Sequence, residues 1–137
     1  FARRIARVIV EERKNRTIDT TFELVHVIES AVPFWYRKGK LHPATKTFQA
    51  LRIAVNDELG ALREGIRAGF EILAPKGRLA VISFHSLEDR IVKQFFKLLK
   101  DEGRGTLVSK KAIVPSREEA KGNPRSRSAK LRIIEKI

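Results

Sequence analysis

At 137 residues, 42% of them hydrophobic, the chain has the size and composition of one domain with a modest core. It has no cysteine, which excludes a disulfide framework and any thiolate nucleophile or metal site. Its formal charge is +13, from 29 Lys and Arg against 16 Asp and Glu, an excess that favours a polyanionic partner: nucleic acid first, with an anionic membrane surface or plain solubility as the alternatives.

The first segment, FARRIARVIVEERKNR, puts Phe1, Ile5, Val8 and Ile9 on one helical face and makes the rest basic through Arg3, Arg4 and Arg7. A turn follows, and Thr20 with Glu23 has the spacing of a capping box. That predicts a second helix carrying Phe22, Leu24, Val25, Ile28 and Val32, stopped by Pro33, which lacks an amide hydrogen. FWYRKGKLHPATKT reads as a loop. Aromatic rings beside Arg37, Lys38 and Lys40 suit a single-stranded nucleic acid surface, but also an aromatic anchor for the loop. Trp35 reads rather as the anchor, and Tyr36 as either; His42, before a proline, reads as a structural hydrogen bonder.

From Lys46 to Leu73 apolar residues recur every three or four positions, which predicts one long helix or two with a bend, with Gly60, Gly65 and Gly69 as permissive points. Arg52 and Asn56 lie four apart on the polar side and are neighbours there. Pro75 and Gly77 turn the chain. Leu79 to Ile82 is a continuous apolar run, the pattern of a strand covered on both faces of a parallel sheet. Ser86, with Asp89 three residues on, reads as the cap of the next helix, whose inward stripe is Leu87, Ile91, Phe95 and Leu98. Helix, strand, helix in this order is the rhythm of a βαβ unit. TLVSKKAIVPS offers one or two short strands, SREEAKGNPRSRSAK a surface loop, and KLRIIEKI a last strand. The start at Phe1, inside a helical pattern, and the order of elements read as the closing part of an α/β domain.

Open α/β sheets bind ligands beyond the carboxyl ends of their strands. Ser83 to Arg90 lies at such an end, which makes His85, Ser86, Glu88, Asp89 and Arg90 candidate site residues; a helix cap with carboxylates near its start explains part of the same pattern. The chain has no phosphate-binding GxxxxGK, no GxGxxG, no HExxH and no CxxC, and its three histidines are isolated, so no metal site is expected. Ser83, His85 and Asp89 are triad residue types but lack the nucleophile-elbow pattern, which argues against a hydrolase.

HPATKTFQALRIAVNDEL (42–59), GRLAVISFHSLEDRIVKQFF (77–96) and KKAIVPSREEAKGNPRSRSAKLRIIEK (110–136) resemble the bacterial small-subunit (16S) ribosomal RNA cytosine-N4 methyltransferases. The resemblance covers nearly the whole chain. It implies a class I, Rossmann-like methyltransferase sheet with an inserted helical domain: residues 1–58 would belong to the insertion, which recognises substrate, and 59–137 to the closing part of the catalytic domain. It implies methyl transfer from S-adenosylmethionine to the exocyclic amine of a cytosine in 16S ribosomal RNA, in the cytoplasm and without a membrane partner. The family's glycine-rich cofactor loop and acidic ribose-binding position match nothing here, so the missing N-terminal half of the enzyme is expected as a partner and the fragment alone as inactive. On this reading Asp89, His85, Ser86 and Glu88 take the catalytic side. Arg90, Arg52, Asn56, His42, Lys46, Tyr36, Arg3, Arg4 and Arg7 take the RNA. The alternative is a non-catalytic basic module that binds RNA or assembles ribosomes.

Overall fold

Seven α-helices and three strands follow one another in the computed structural model, which describes Phe1–Ile137. They fall into two compact units, Phe1–Asn56 and Asp57–Ile137. No helix is long and apolar enough to cross a membrane.

The first unit is helical: α1 (Ala2–Asn15), α2 (Thr21–Ser30), α3 (Phe34–Arg37) and α4 (Thr45–Val55). Helix α2 starts at the expected capping box. The Glu23 amide donates to Thr20 Oγ1 at 3.2 Å and the Thr20 amide donates to Glu23 Oε2 at 2.8 Å, so two amides left over at the helix start are satisfied reciprocally. Ile5, Ile28, Ala31, Val32 and Ala44 form the core, with Leu24, Val25, Tyr36 and Phe48 packed around it. Phe22 is not part of it, being 82% exposed. The FWYR segment is one turn of helix rather than a loop, with Pro33 as its N-cap. Within that turn the expected anchor is reversed. Trp35 is 68% exposed, whereas Tyr36 is half-buried against the core.

The periodic stretch resolves into two helices, α4 and α5 (Glu58–Glu71). The break is at Asp57, whose backbone is left-handed at φ 46, a conformation Asp tolerates better than most residues. Gly60 serves that break. A side chain at position 60 would run into the Asp57 carboxylate. The apolar positions of α4 that read as continuous with α5 are open, Val55 at 82% exposure, while Ile66 and Phe70 of α5 are buried.

The second unit continues with β1 (Arg78–Ser83), α6 (Ser86–Asp101), β2 (Gly105–Leu107), α7 (Arg117–Gly122), a 3-10 turn (Pro124–Ser128) and β3 (Lys130–Lys136). The sheet order is β1-β3-β2. Both outer strands run antiparallel to β3, from Arg78↔Glu135 to Ser83↔Lys130 on one side and Gly105↔Lys136 to Leu107↔Ile134 on the other. β1 and β2 are therefore parallel to each other, linked by α6, with the last strand between them. The expectation that β1 is buried on both faces in a parallel sheet is corrected: among these residues it is an edge strand with an antiparallel neighbour, and its burial alternates along its length.

Two further readings change. The inward stripe of α6 is Ile91, Val92, Phe96 and Leu99, while Leu87 and Leu98 are 44% and 53% exposed. Two neighbouring rows of apolar residues both satisfy helical spacing, and packing on Phe70 and Ile134 selects one. The polar stretch from Ser116 is not a loop. Ser116 Oγ accepts the Glu119 amide at 3.0 Å and starts α7. At the far end of the sheet Lys136 Nζ donates to the carbonyls of Phe70, Glu71 and Leu73 at 3.2, 2.9 and 2.8 Å. An ammonium there meets the negative end of the α5 dipole and the carbonyls the helix leaves unpaired. The rotated stripe is testable: Phe96→Ala should cost about 3–5 kcal/mol in denaturant unfolding, whereas Leu98→Ala, near the surface, should stay within about 1 kcal/mol.

Candidate functional site

Strand β1 runs out through Ser83 and Phe84 into the start of α6. The backbone stays extended through His85 (φ −138, ψ 166), so His85, not Ser86, is the N-cap. Its Nδ1 accepts the Glu88 amide at 3.3 Å, and Glu88 Oε2 in return accepts the amides of Phe84 and His85 at 2.9 and 3.2 Å. An imidazole nitrogen here takes the acceptor role usually filled by a hydroxyl or carboxylate. The expected Ser86–Asp89 cap is thereby corrected by one residue. Ser86 is exposed within the first turn.

Asp89 faces inward and is 8% exposed. Arg132 Nε donates to Asp89 Oδ1 at 2.7 Å, Arg132 Nη2 to Oδ2 at 3.3 Å, and Lys130 Nζ to Oδ2 at 3.2 Å. The Arg132 guanidinium holds the Asp89 carboxyl below the usual carboxylate range; partial burial opposes that and Lys130 adds to it. Asp89 thus joins the start of α6 to the start of β3. Ser83, also buried, turns its hydroxyl toward the Lys130 carbonyl at 3.5 Å.

Both carboxylates of the cluster are therefore engaged, Glu88 with backbone amides and Asp89 with two cations. Apart from Glu88 Oε1, which lies beside the His85 imidazole, the polar groups that remain are donors. His85 Nε2 is buried without a hydrogen-bond partner. Glu88 Oε1 stands 3.3 Å away but outside hydrogen-bonding geometry. Because Nδ1 accepts an amide hydrogen, the imidazole proton lies on Nε2. Arg90 is exposed on the next turn and has no acidic partner. The exposed donors, Ser86 and Arg90, suit an anion or the carbonyl edge of a base more than they suit proton abstraction.

The other predicted residues lie in the first unit. Arg3, Arg4 and Arg7 are exposed on α1. Tyr36 and Lys46 come together on an apolar groove of about 470 Å³ that Phe1, Ile5 and Leu51 also line. His42 Nδ1 accepts the Ala44 amide at 3.3 Å and its Nε2 lies 3.6 Å from Glu29 Oε1, so it serves the turn before α4. Arg52 is exposed on α4, and Asn56 closes that helix with its amide on the Arg52 carbonyl at 3.0 Å. Arg132 and Lys130 escape a reading of the sequence, since nothing local marks residues over forty positions away as partners of Asp89.

The family model described as the MraW methylase family matches residues 1–137. The chain belongs to this family. Among curated relatives of this chain, the "Ribosomal RNA small subunit methyltransferase H" of Wolbachia sp. subsp. Drosophila simulans (strain wRi) is 56% identical over 99% of the chain and 46% of the relative. The proteins of the same name from Persephonella marina and Acetivibrio thermocellus are each 51% identical over 100% of the chain, covering 47% and 49% of their own lengths. The chain thus spans about half the length of the curated relatives it matches.

The Asp89 pairing predicts a pH signature. A carboxyl whose folded pKa lies below its unfolded value contributes stability that is fully present above the unfolded pKa, about 4, and is lost as pH falls through the folded value. Asp89→Asn leaves Arg132 half-buried without its counter-charge, and should cost roughly 3 kcal/mol near neutral pH. Denaturant unfolding across pH 7 to 2 should show the gap between the two proteins closing as pH falls below about 4.

Proposed function

We propose that this chain is the C-terminal part of an enzyme that transfers a methyl group from S-adenosylmethionine to the N4 amine of a cytosine in small-subunit ribosomal RNA. The observation that carries the reading is the match of whole-chain length to relatives named ribosomal RNA small subunit methyltransferase H, at 51–56% identity. The sheet supports it. Two parallel strands joined by a helix crossover, with a ligand-facing turn at the carboxyl end of the first, are what the closing part of a Rossmann-like sheet requires. On this reading the unit Phe1–Asn56 is the inserted helical, substrate-recognition part, and Asp57–Ile137 completes the catalytic domain.

The residues present do not form a cradle for the methyl donor. β1 leaves its strand through Ser83, Phe84 and His85 with no glycine turn, and Glu88 and Asp89 are both occupied. The donor's main contacts belong to the rest of the parent enzyme. What this chain supplies is placement. A cytosine must leave its stack, at a cost of a few kcal/mol, and be held with its amine in line. His85 Nε2–H, the Ser86 hydroxyl and the Arg90 guanidinium are the groups we assign to the carbonyl edge of the base and its flanking phosphate. Glu88 holds the turn that carries His85, and Asp89 fixes the start of α6 to β3. Arg3, Arg4 and Arg7, with Arg52, Asn56 and the turn at His42, Tyr36 and Lys46, contact the RNA on the helical unit.

The discriminating variant is His85→Asn in the full-length parent. Asparagine keeps a good N-cap acceptor but lacks Nε2–H. Single-turnover methylation of a small-subunit RNA fragment should fall at least about tenfold, equivalent to about 1.4 kcal/mol, with melting within a few degrees of the parent. A parental rate would reduce His85 to a helix cap. A separate measurement addresses the split of the cofactor site: titration calorimetry of the 137-residue chain with S-adenosylmethionine should show no binding, and a low-micromolar constant would refute it.

A further inference from the structure

A second charged surface lies away from the strand end. Lys93, Lys97 and Lys100 fall on one face of α6 at spacings of four and three residues, and Lys110, just after β2, faces them across a groove of about 220 Å³. Like charges at such spacings repel, by roughly 0.2–0.5 kcal/mol per pair on an isolated helix, and this face does little to relieve that. Some cations of the same unit are paired: Arg78 with Glu135, Arg104 with Glu71 and Glu102, Arg132 and Lys130 with Asp89. Lys136 is satisfied by helix carbonyls. None of the four groove lysines has a carboxylate partner, and all four are exposed. Asp101, the one acid on the rim, forms no ion pair either. Arg132 closes the inner end of the groove, its charge already committed to Asp89.

We propose that this groove is a second RNA-binding surface, a track for backbone phosphates outside the site of the target base. The inference rests on the ribosomal RNA reading and adds a surface to it. Several features favour a phosphate backbone over a single small anion. The lysines form a row, with about 10 Å of helix axis between Lys93 and Lys100, so they can neutralise successive phosphates. Lysine is a mobile point charge suited to that task, without the fixed fork that arginine brings to one group. The apolar lining of the groove, Phe96, Leu107 and Ile133, offers no hydrogen bonds to read a base, and the Ser109 hydroxyl is committed to the Lys111 carbonyl, so recognition here is independent of sequence. An anionic membrane is the weaker fit. A helix lying on a bilayer presents its apolar stripe to lipid, and that of α6 is buried in the core.

The test uses the full-length enzyme with Lys93, Lys97, Lys100 and Lys110 all replaced by glutamine. Binding of small-subunit RNA fragments is followed against salt concentration. Every phosphate that the protein no longer neutralises lowers the slope of log K against log salt by about 0.7 for single strands. The quadruple variant should therefore show a slope shallower by about 2 to 3, weaken equally on all sequences, and methylate at the parental single-turnover rate once RNA is saturating. An unchanged slope with intact melting overturns the groove. So does loss of binding to phosphatidylglycerol vesicles while RNA binding stays parental, which would make the surface a membrane-binding one. If the parent protein itself fails to bind and methylate small-subunit RNA, it is the functional reading that falls. A parent that does both, beside a variant with the parental slope, removes the groove alone.

Discussion

The Asp89 carboxylate is the point on which the second unit depends. It sits one turn into α6 yet reaches Arg132 and Lys130 of β3, so it ties the start of α6 to the start of the last strand. Lys136 does the reciprocal work at the other end of β3, closing the C-terminus of α5. Between those two polar anchors Ile134 is fully buried against Phe70, Phe96 and Leu99. A buried ion pair contributes less net stability than its geometry suggests, because desolvation offsets much of the attraction. Its value here is register. A one-residue slip of β3 would turn Ile134 to the other face and take Arg132 from Asp89.

Two adjacent carboxylates thereby acquire different work. Glu88 faces the turn and collects amides; Asp89 faces the sheet and collects cations. Neighbours on a helix point about a hundred degrees apart, which is enough to put one at the helix mouth and the other in the protein. The consequence for chemistry is that the motif's acids shape the strand end, while Ser86 and Arg90 face outward and His85 Nε2 stays buried.

How much of this is legible in the sequence depends on the range of the interaction. The capping box at Thr20 and Glu23 is local and can be read directly. So can the final strand, from the short apolar, β-branched run in KLRIIEKI. The Ser116 cap carries an equally local S-x-x-E signal that the surrounding Arg, Lys, Gly and Pro residues obscure. The start of α6 is displaced by one residue because Ser86 with Asp89 and His85 with Glu88 have the same spacing, and serine is the commoner cap. Trp35 and Tyr36 are adjacent and both amphipathic, so only packing decides which is inside. The partners of Asp89, the order of the strands and the antiparallel β3 are long-range facts with no local signature. At the candidate site, the residue types at the strand end are visible in the sequence; their division into engaged acids and free donors is not.

The central position of β3 also sets a timetable. Residues 130–136 form the middle of the sheet, and every strand pair in it includes them. During synthesis β1, α6 and β2 emerge first, and at that stage neither outer strand has β3 beside it and Asp89 lacks Arg132 and Lys130. The chain holds open strand edges and an uncompensated charge until β3 clears the exit tunnel. This unit therefore completes its sheet only after β3 has been made, and until then its unpaired strand edges are open to association with other chains.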